Sequence, residues 1–312
     1  MNELITIEAQ SPRPADQNPA AVYLAGLSEG TSRRTMLGAL EQVARYVSQG
    51  RFGAMDFPWQ GLRYQHVQAI RSHLANTMKH TTANKVLAAL RGVLRAAWRL
   101  GLMDAEDYQR AADVPCVRGE SLPAGRAVSH AELRALMEAC KADQSPKGTR
   151  DAAIIALMYG CGLRRAEVIG LDLADYDQGE GTLRVQGKGR KQRLCHVTNG
   201  AARALTAWLR TRGKAAGPLF LPVTKAGDLQ WRRMTTQAVY YILARRAKEA
   251  GVEHLSPHDL RRSFVSDLLD MGADIVTVQR LAGHAQVTTT ARYDRRGEAA
   301  KRQAAAMLRV PF

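Results

Sequence analysis

The chain has 312 residues, about twice a common domain length, which favours two domains. Hydrophobic residues make up 46% and charged residues 24%, proportions that exclude a disordered or collagen-like chain. Lys and Arg number 45 against 29 Asp and Glu, and residues 121–312 carry +13 of the resulting net charge of +16. This excess indicates a polyanionic partner such as nucleic acid, although a solvated basic surface gives the same charge.

Neither a membrane span nor a signal peptide is expected, because the chain has no run of 18 apolar residues and no apolar segment near its start. Its four cysteines lie more than 20 residues apart, without the spacing of a zinc site. We therefore expect no metal site, no disulfide scaffold and a cytoplasmic location, where thiols stay reduced.

The first half of the chain predicts a flexible arm followed by a helical bundle. Residues 1–16 are polar and rich in proline, whereas in residues 17–115 apolar side chains recur at steps of three and four. No segment there alternates with period two. The predicted helices run over Thr31–Gly50, Arg63–Ala75 and Thr81–Gly101. Residues 116–126 hold prolines and glycines and predict a linker.

The second half, residues 127–312, predicts helices interrupted by one hairpin. A capping box at Ser129 opens its first helix. Leu183–Val185 and Leu194–Val197 alternate in polarity and flank a glycine-bearing turn rich in cations, which is typical of a β-hairpin. A helix-prone segment, residues 298–308, follows near the end. The expected fold class is mainly α with a small antiparallel sheet.

Six side chains of the second half suit phosphoryl transfer without a metal, because cations can replace Mg²⁺ in stabilising the reacting phosphate. A tyrosine supplies a nucleophile that forms a covalent phosphoester. A phenol of pKa about 10 is only about 0.1% ionised at pH 7, so it needs nearby guanidinium groups and a proton acceptor. The six are Arg164, Lys188, His258, Arg261, His284 and Tyr293.

Four strings carry these residues: GLRRAE at 162–167, GKG at 187–189, HDLRRSF at 258–264 and GHAQVTTTARY at 283–293. Their order and separation resemble the tyrosine recombinase family of phage integrases and Xer-like proteins, whose usual pattern is GLRxSE, GKGxK, HxLRHT and LGHxxxxTTxxY. The departures remove no catalytic group: Ala166, Arg262, Ser263 and Ala282 stand where the family commonly has Ser, His, Thr and Leu. Residues 81–103 resemble, more weakly, the last helix of the family's core-binding domain.

The resemblance implies that Tyr293 attacks the scissile phosphate, leaving a 3′-phosphotyrosyl bond and a free 5′-hydroxyl. Lys188 would protonate the leaving 5′-oxygen, and His258 would move or hold the tyrosine proton. Arg164 and Arg261 would hold the non-bridging oxygens.

It further implies that His284 donates a hydrogen bond to the phosphate and that Glu167 orients the site from behind. Eight other cations are candidates for phosphate contact, although each could instead be ordinary surface charge: Arg33, Arg34, Lys85, Arg91, Arg95, Arg190, Lys191 and Arg193. The two helical tryptophans, Trp98 and Trp208, are expected in the core rather than on a base-stacking surface.

The function implied is site-specific DNA recombination through a Holliday junction, needing neither cofactor nor metal. The two domains would grip DNA as a C-clamp. A homotetramer would hold two DNA sites, and its protomers would exchange their C-terminal helices. An accessory DNA-bending protein is a further candidate partner. The location would be the nucleoid. Two alternatives stay open: a DNA-relaxing enzyme like the type IB topoisomerases, and a non-catalytic DNA-binding protein on the same fold.

Overall fold

The computed structural model describes residues 14–28, 30–120, 125–187, 191–294, 302 and 305–306. The chain divides into two compact units, Met1–Leu122 and Pro123–Phe312, and the division falls inside the segment predicted as a linker. Most of the predicted arm lies outside the described residues, but its end enters a 3₁₀ turn at Ala15–Gln17. No helix among the described residues is long and apolar enough to cross a membrane.

The described part of the first unit is helical. Its helices are α1 Pro19–Ala25, α2 Thr31–Ser48, α3 Tyr64–Thr77, α4 His80–Arg99 and α5 Ala105–Ala112. Periodicity predicted α2, α3 and α4. It missed α5, which has only eight residues and buries only Ala111 fully, so its apolar pattern is short.

Helix α4 is the centre of this unit and packs against the four other helices. Nine of its residues are buried, among them Leu90 and Leu94. The expectation that Trp98 lies in the core is wrong: its side chain is 39% exposed and stacks on Tyr108 at 5.2 Å. Trp59 fills the core instead, with its indole nitrogen donating to the Ala54 carbonyl.

The second unit consists of helices and one small antiparallel sheet. Its elements are α6 His130–Ala142, α7 Pro146–Gly160, α8 Arg165–Gly170, β1 Tyr176–Asp177, β2 Thr182–Gln186, β3 Gln192–His196, α9 Asn199–Arg212, α10 Thr236–Glu249, α11 Pro257–Asp270, α12 Ile275–Ala282 and α13 Val287–Ala291. The strands lie in the order β1-β2-β3, and Leu183 pairs with Cys195. The mainly helical fold class and the hairpin are confirmed.

The core of this unit forms where α7 packs against α9. Helix α7 is buried over Asp151–Met158, which explains its almost continuous apolar sequence. Trp208 of α9 is fully buried, as expected, and donates to the Leu219 carbonyl. All four cysteines are free. Of the predicted helix at 298–308, residues 302, 305 and 306 are helical, and the rest lies outside the described residues.

Candidate active site

Helix α11 carries two of the predicted residues on one face. Ser256 and Asp259 form a capping box, and Pro257 stands at the first helical position, so the start of the helix is fixed. Arg261, only 2% exposed, donates to the carbonyls of Gly162 and Ala282. Burial and the charge of Arg164 lower the pKa of Arg261 to about 10, so it remains a cation at pH 7.

The turn between α7 and α8 brings Arg164 to the same place. Gly162 has a φ of +59°, and a Cβ there would lie 2.3 Å from the Phe264 ring, so only glycine fits. Arg164 is the N-cap of α8 and donates through Nη2 to the Gly283 carbonyl at 3.2 Å. Its side chain stays 42% exposed, which leaves the guanidinium open to a ligand.

Glu167, to which the resemblance assigns a supporting role, contacts Arg164 on the backbone and on the side chain. Its carboxylate accepts from the Arg164 backbone nitrogen at 2.9 Å and from Arg164 Nη1 at 2.8 Å. Arg193 supplies two further hydrogen bonds. Burial opposes ionisation, but the hydrogen bonds from Arg193 and Arg164 outweigh it and lower the pKa of Glu167 to about 2. Glu167 is therefore a buried, ionised anchor.

Tyr293 lies beside His258, with the phenol oxygen 3.1 Å from His258 Nε2. Its ring packs against the small α11–α12 core and stacks on His284 with centroids 6.1 Å apart. The Ser266 hydroxyl donates to the Tyr293 carbonyl and fixes the backbone. The phenol and the imidazole to which the resemblance assigns the proton transfer thus lie within hydrogen-bonding distance in one chain.

Both imidazoles are disfavoured as cations. Partial desolvation and the charge of Arg261 lower the pKa of His258, and the same causes lower the pKa of His284 to about 4. Unprotonated Nε2 of His258 can therefore accept the phenol proton at pH 7. His284 is oriented by Thr290, whose buried hydroxyl lies 2.9 Å from Nδ1.

The assembled groups suit an anionic substrate. His258 and His284 lie beside the phenol, the charges of Arg164 and Arg261 act on both imidazoles, and the carboxylate of Glu167 is already paired. The described residues hold no group of His, Cys, Asp and Glu able to bind a metal ion. Lys188 and Arg190, which the sequence places between β2 and β3, lie outside the described residues. The arrangement can hold a phosphodiester and present a phenol to its phosphorus.

Sequence reasoning missed Ser266 and Thr290, which position Tyr293 and His284. Thr290 stands in the TTT of the last matching string, so that string could have identified it. Ser266 carries no signal, because a serine inside a helix is common.

The predicted DNA-contacting cations fall into two groups. Arg34, Lys85, Arg95 and Lys191 have exposed side chains, and Arg33 is half-buried with Nη2 on the Leu27 carbonyl. Arg91 instead donates to the carbonyls of Ala112 and Val114, and so ties α4 to the end of α5. Arg193 is 13% exposed and pairs with Glu167. For these two arginines the geometry indicates a structural contact in place of the expected phosphate contact.

A model of the phage integrase family matches residues 126–299. Tyrosine recombinase XerC of Alcanivorax borkumensis is 35% identical over 242 residues, covering 76% of both chains. Tyrosine recombinase XerD of Mycobacterium leprae is 40% identical over 222 residues, covering 68% of both, and XerD of Pseudomonas aeruginosa is 35% identical over 242 residues, covering 75% of this chain and 79% of its own.

Solved structures share the fold at low sequence identity. The Tn1549 transposon integrase in complex with transposon right end DNA superposes with a TM-score of 0.67 at 15% identity, covering 93% of this chain and 99% of that one. The XerH site-specific recombinase bound to a palindromic difH substrate gives 0.63 at 20% identity, covering 88% and 79%.

Proposed function

Because this chain belongs to the phage integrase family and is a site-specific DNA recombinase of the tyrosine type, we propose that Tyr293 cuts and rejoins DNA through a 3′-phosphotyrosyl intermediate. The observation that carries the assignment is the 3.1 Å approach of the Tyr293 hydroxyl to His258 Nε2 beside Arg164 and Arg261. The recombinase names of the relatives weigh against the topoisomerase-like and non-catalytic alternatives.

In the proposed reaction His258 accepts the phenol proton as the Tyr293 oxygen attacks phosphorus. The bond to the 5′-oxygen breaks, and Lys188 protonates that oxygen. Arg164 and Arg261 hold the non-bridging oxygens, where negative charge develops, and His284 adds a hydrogen bond. Attack of a 5′-hydroxyl on the phosphotyrosine reverses these steps, so strands are rejoined without an energy cofactor.

Both units contribute to DNA binding in this proposal. The exposed cations Arg34, Lys85 and Arg95 of the helical unit contact phosphates, as does Lys191 of the hairpin. Recognition of a particular DNA site then depends on base contacts, which the charges alone do not specify.

Strand exchange through a Holliday junction requires two DNA sites, and we expect four protomers to hold them. A groove of about 350 Å³ between α6, α7 and α11 is lined by Leu133, Met137, Phe264, Leu268 and Met271, among others. The tail sequence, residues 298–312, places Ala304, Met307 and Leu308 at helical spacing and ends in Val310 and Phe312. We expect the groove of one protomer to receive this tail from its neighbour.

Trapping the covalent intermediate tests the proposal. A duplex selected by the wild-type protein from a random-sequence library is nicked beside the cleavage position, so that cleavage releases a short strand and cannot reverse. The wild-type protein should form a slow-migrating, protease-sensitive adduct, whereas Tyr293→Phe should bind the same duplex and form none. An adduct with the Phe variant would assign the nucleophile elsewhere.

Deletion of residues 299–312 tests the tail. Single-site binding should persist while assembly of two sites on native gels falls. Met271→Asp, in the wall of the groove, should reproduce this defect. Loss of single-site binding on deletion would instead mean that the tail packs onto its own chain.

A further inference from the structure

Arg193 of β3 is a cation that the proposed reaction does not use. Its guanidinium forms a two-pronged pair with Glu167, Nη1 to Oε1 at 3.0 Å and Nη2 to Oε2 at 2.8 Å. Nε donates to the Leu281 carbonyl at 3.2 Å. With only 13% of the side chain exposed, Arg193 has little surface left for a phosphate.

The ion pair between Arg193 and Glu167 connects Arg193 to Arg164. One carboxylate serves both arginines, because Oε1 accepts from Arg164 Nη1 and from Arg193 Nη1. The Glu167 side chain is 5% exposed, so without Arg193 half of its hydrogen bonds would be lost in a place that water scarcely reaches. A buried carboxylate without partners takes up a proton more readily and then holds a guanidinium less firmly.

The hydrogen bond from Arg193 to the Leu281 carbonyl connects Arg193 to the end of α12, close to His284. Arg193 runs along the turn between α12 and α13, where a Cβ on Gly283 would lie 3.1 Å from both its Cδ and its Nη1. The carbonyl of Gly283 accepts from Arg164, and His284 follows. Arg193 therefore connects three segments: its own strand β3, the N-terminus of α8 and the turn before His284.

We propose that Arg193 is a positioning residue for DNA cleavage, which pairs with Glu167 and thereby fixes Arg164 against the scissile phosphate, without contacting DNA. This inference rests on the proposed function. It differs from the phosphate contact that the sequence suggests for Arg193. Loss of a phosphate contact would lower DNA affinity, whereas loss of the positioning of Arg164 would lower the cleavage rate, because Arg164 stabilises the charge that develops at the phosphate.

The test compares Arg193→Ala and Arg193→Lys with the control Arg184→Ala, an exposed arginine of the neighbouring strand β2 that has no part in the proposed reaction or in the proposed DNA contacts. Cleavage is measured on the nicked duplex selected by the wild-type protein. Arg193→Ala should cleave about 10²-fold more slowly, since displaced catalytic groups cost rates of that order. Arg193→Lys should fold in the same way and recover only part of the rate, because lysine lacks the fork.

Two further readouts separate positioning from loss of structure or loss of a DNA contact. A methylphosphonate at the scissile position is uncharged and needs less help from Arg164, so the deficit of Arg193→Ala should shrink to less than about tenfold, as it should for Arg164→Ala. The slope of log K against log salt should equal that of the wild type, whereas loss of a phosphate contact lowers the slope by about 1.

A double variant completes the experiment. Glu167→Gln with Arg193→Ala should cleave no more slowly than Glu167→Gln alone, since both changes break one chain of contacts. Additive losses, an equal deficit on both duplexes or a reduced salt slope would each overturn the proposal. If the wild-type protein forms no adduct on either duplex, the proposed function fails instead, so the two failures are distinct.

Discussion

Replacing Glu167 by Gln keeps the shape of the side chain and removes its charge. The carboxylate receives hydrogen bonds from the Arg164 backbone, the Arg164 side chain and both prongs of Arg193. A Gln amide would point its NH₂ group at one of these donors, so at least one hydrogen bond would become a contact between two donors. The largely buried cation Arg193 would also lose its counter-charge.

The size of the effect follows from the pKa of Glu167, which its partners lower from the ordinary value of 4.5 to about 2. At 1.36 kcal/mol per pKa unit, ionised Glu167 contributes about 3 kcal/mol to the free energy of unfolding at neutral pH. A group with a lowered folded pKa contributes fully above its unfolded pKa and loses the contribution as pH falls towards its folded pKa. The contribution should therefore decrease by about 2 kcal/mol between pH 7 and pH 3.

Urea unfolding of the full chain, followed by tryptophan fluorescence at both pH values, measures the difference. The control is Glu138→Gln on α6, whose carboxylate pairs with Lys141 while 60% exposed and should contribute at most about 1 kcal/mol. Glu167→Gln should be about 3 kcal/mol less stable than the wild type at pH 7, with a gap that narrows at pH 3. A gap that equals the control, or that does not change with pH, would refute the account of Glu167 as an ionised anchor.

Four further outcomes are expected. Cleavage should persist in EDTA, and chelator sensitivity reversed by Mg²⁺ would contradict the metal-free reaction. Arg261→Ala should slow cleavage about 10²–10³-fold, and Arg261→Lys should recover only part of the rate because lysine lacks the fork. Arg34→Ala and Lys85→Ala should each lower the salt slope of binding by about 1, whereas Arg91→Ala should destabilise the helical unit and leave the slope unchanged. Because the pKa of His258 is lowered, cleavage of saturating DNA should reach half its maximal rate at a pH below 6.5, the ordinary value for a histidine, which a pH–rate profile checks.

The sequence predicted the long helices because each needs an apolar face with a period of 3.6 residues. Helix α4 buries nine residues over its 20 positions and so repeats the pattern over several turns, whereas α5 and the two-residue strand β1 are too short to repeat it. Trp98 shows the limit of this reasoning. Its spacing from Leu94 matches the buried stripe, but it lies at the edge of that stripe, where its ring packs on Tyr108 and not inside the core.

The candidate site was predictable in its residue types, because the four matching strings give the order of the cations, imidazoles and phenol. Its supporting contacts were not. Arg91, Arg193 and Lys191 carry the same charge in the sequence, but Arg91 and Arg193 are occupied by carbonyls or a carboxylate and Lys191 is exposed. Which partner a cation finds depends on residues far away in the chain, such as Glu167 for Arg193, and charge patterns carry no such information.

The substitution Gly283→Ala disturbs the contacts around Arg193 without replacing a charged residue. The φ of Gly283 is +64°, so Gly283→Ala adds backbone strain of about 1–2 kcal/mol and brings a methyl group to 3.1 Å from Arg193. Gly251 has the same φ of +64°, but a Cβ there would meet no atom within 4 Å. Both alanine variants should therefore lose similar unfolding free energy, while only Gly283→Ala loses cleavage on the nicked duplex. Equal cleavage by the two variants would show that displacing Arg193 at this turn has no effect on the active site.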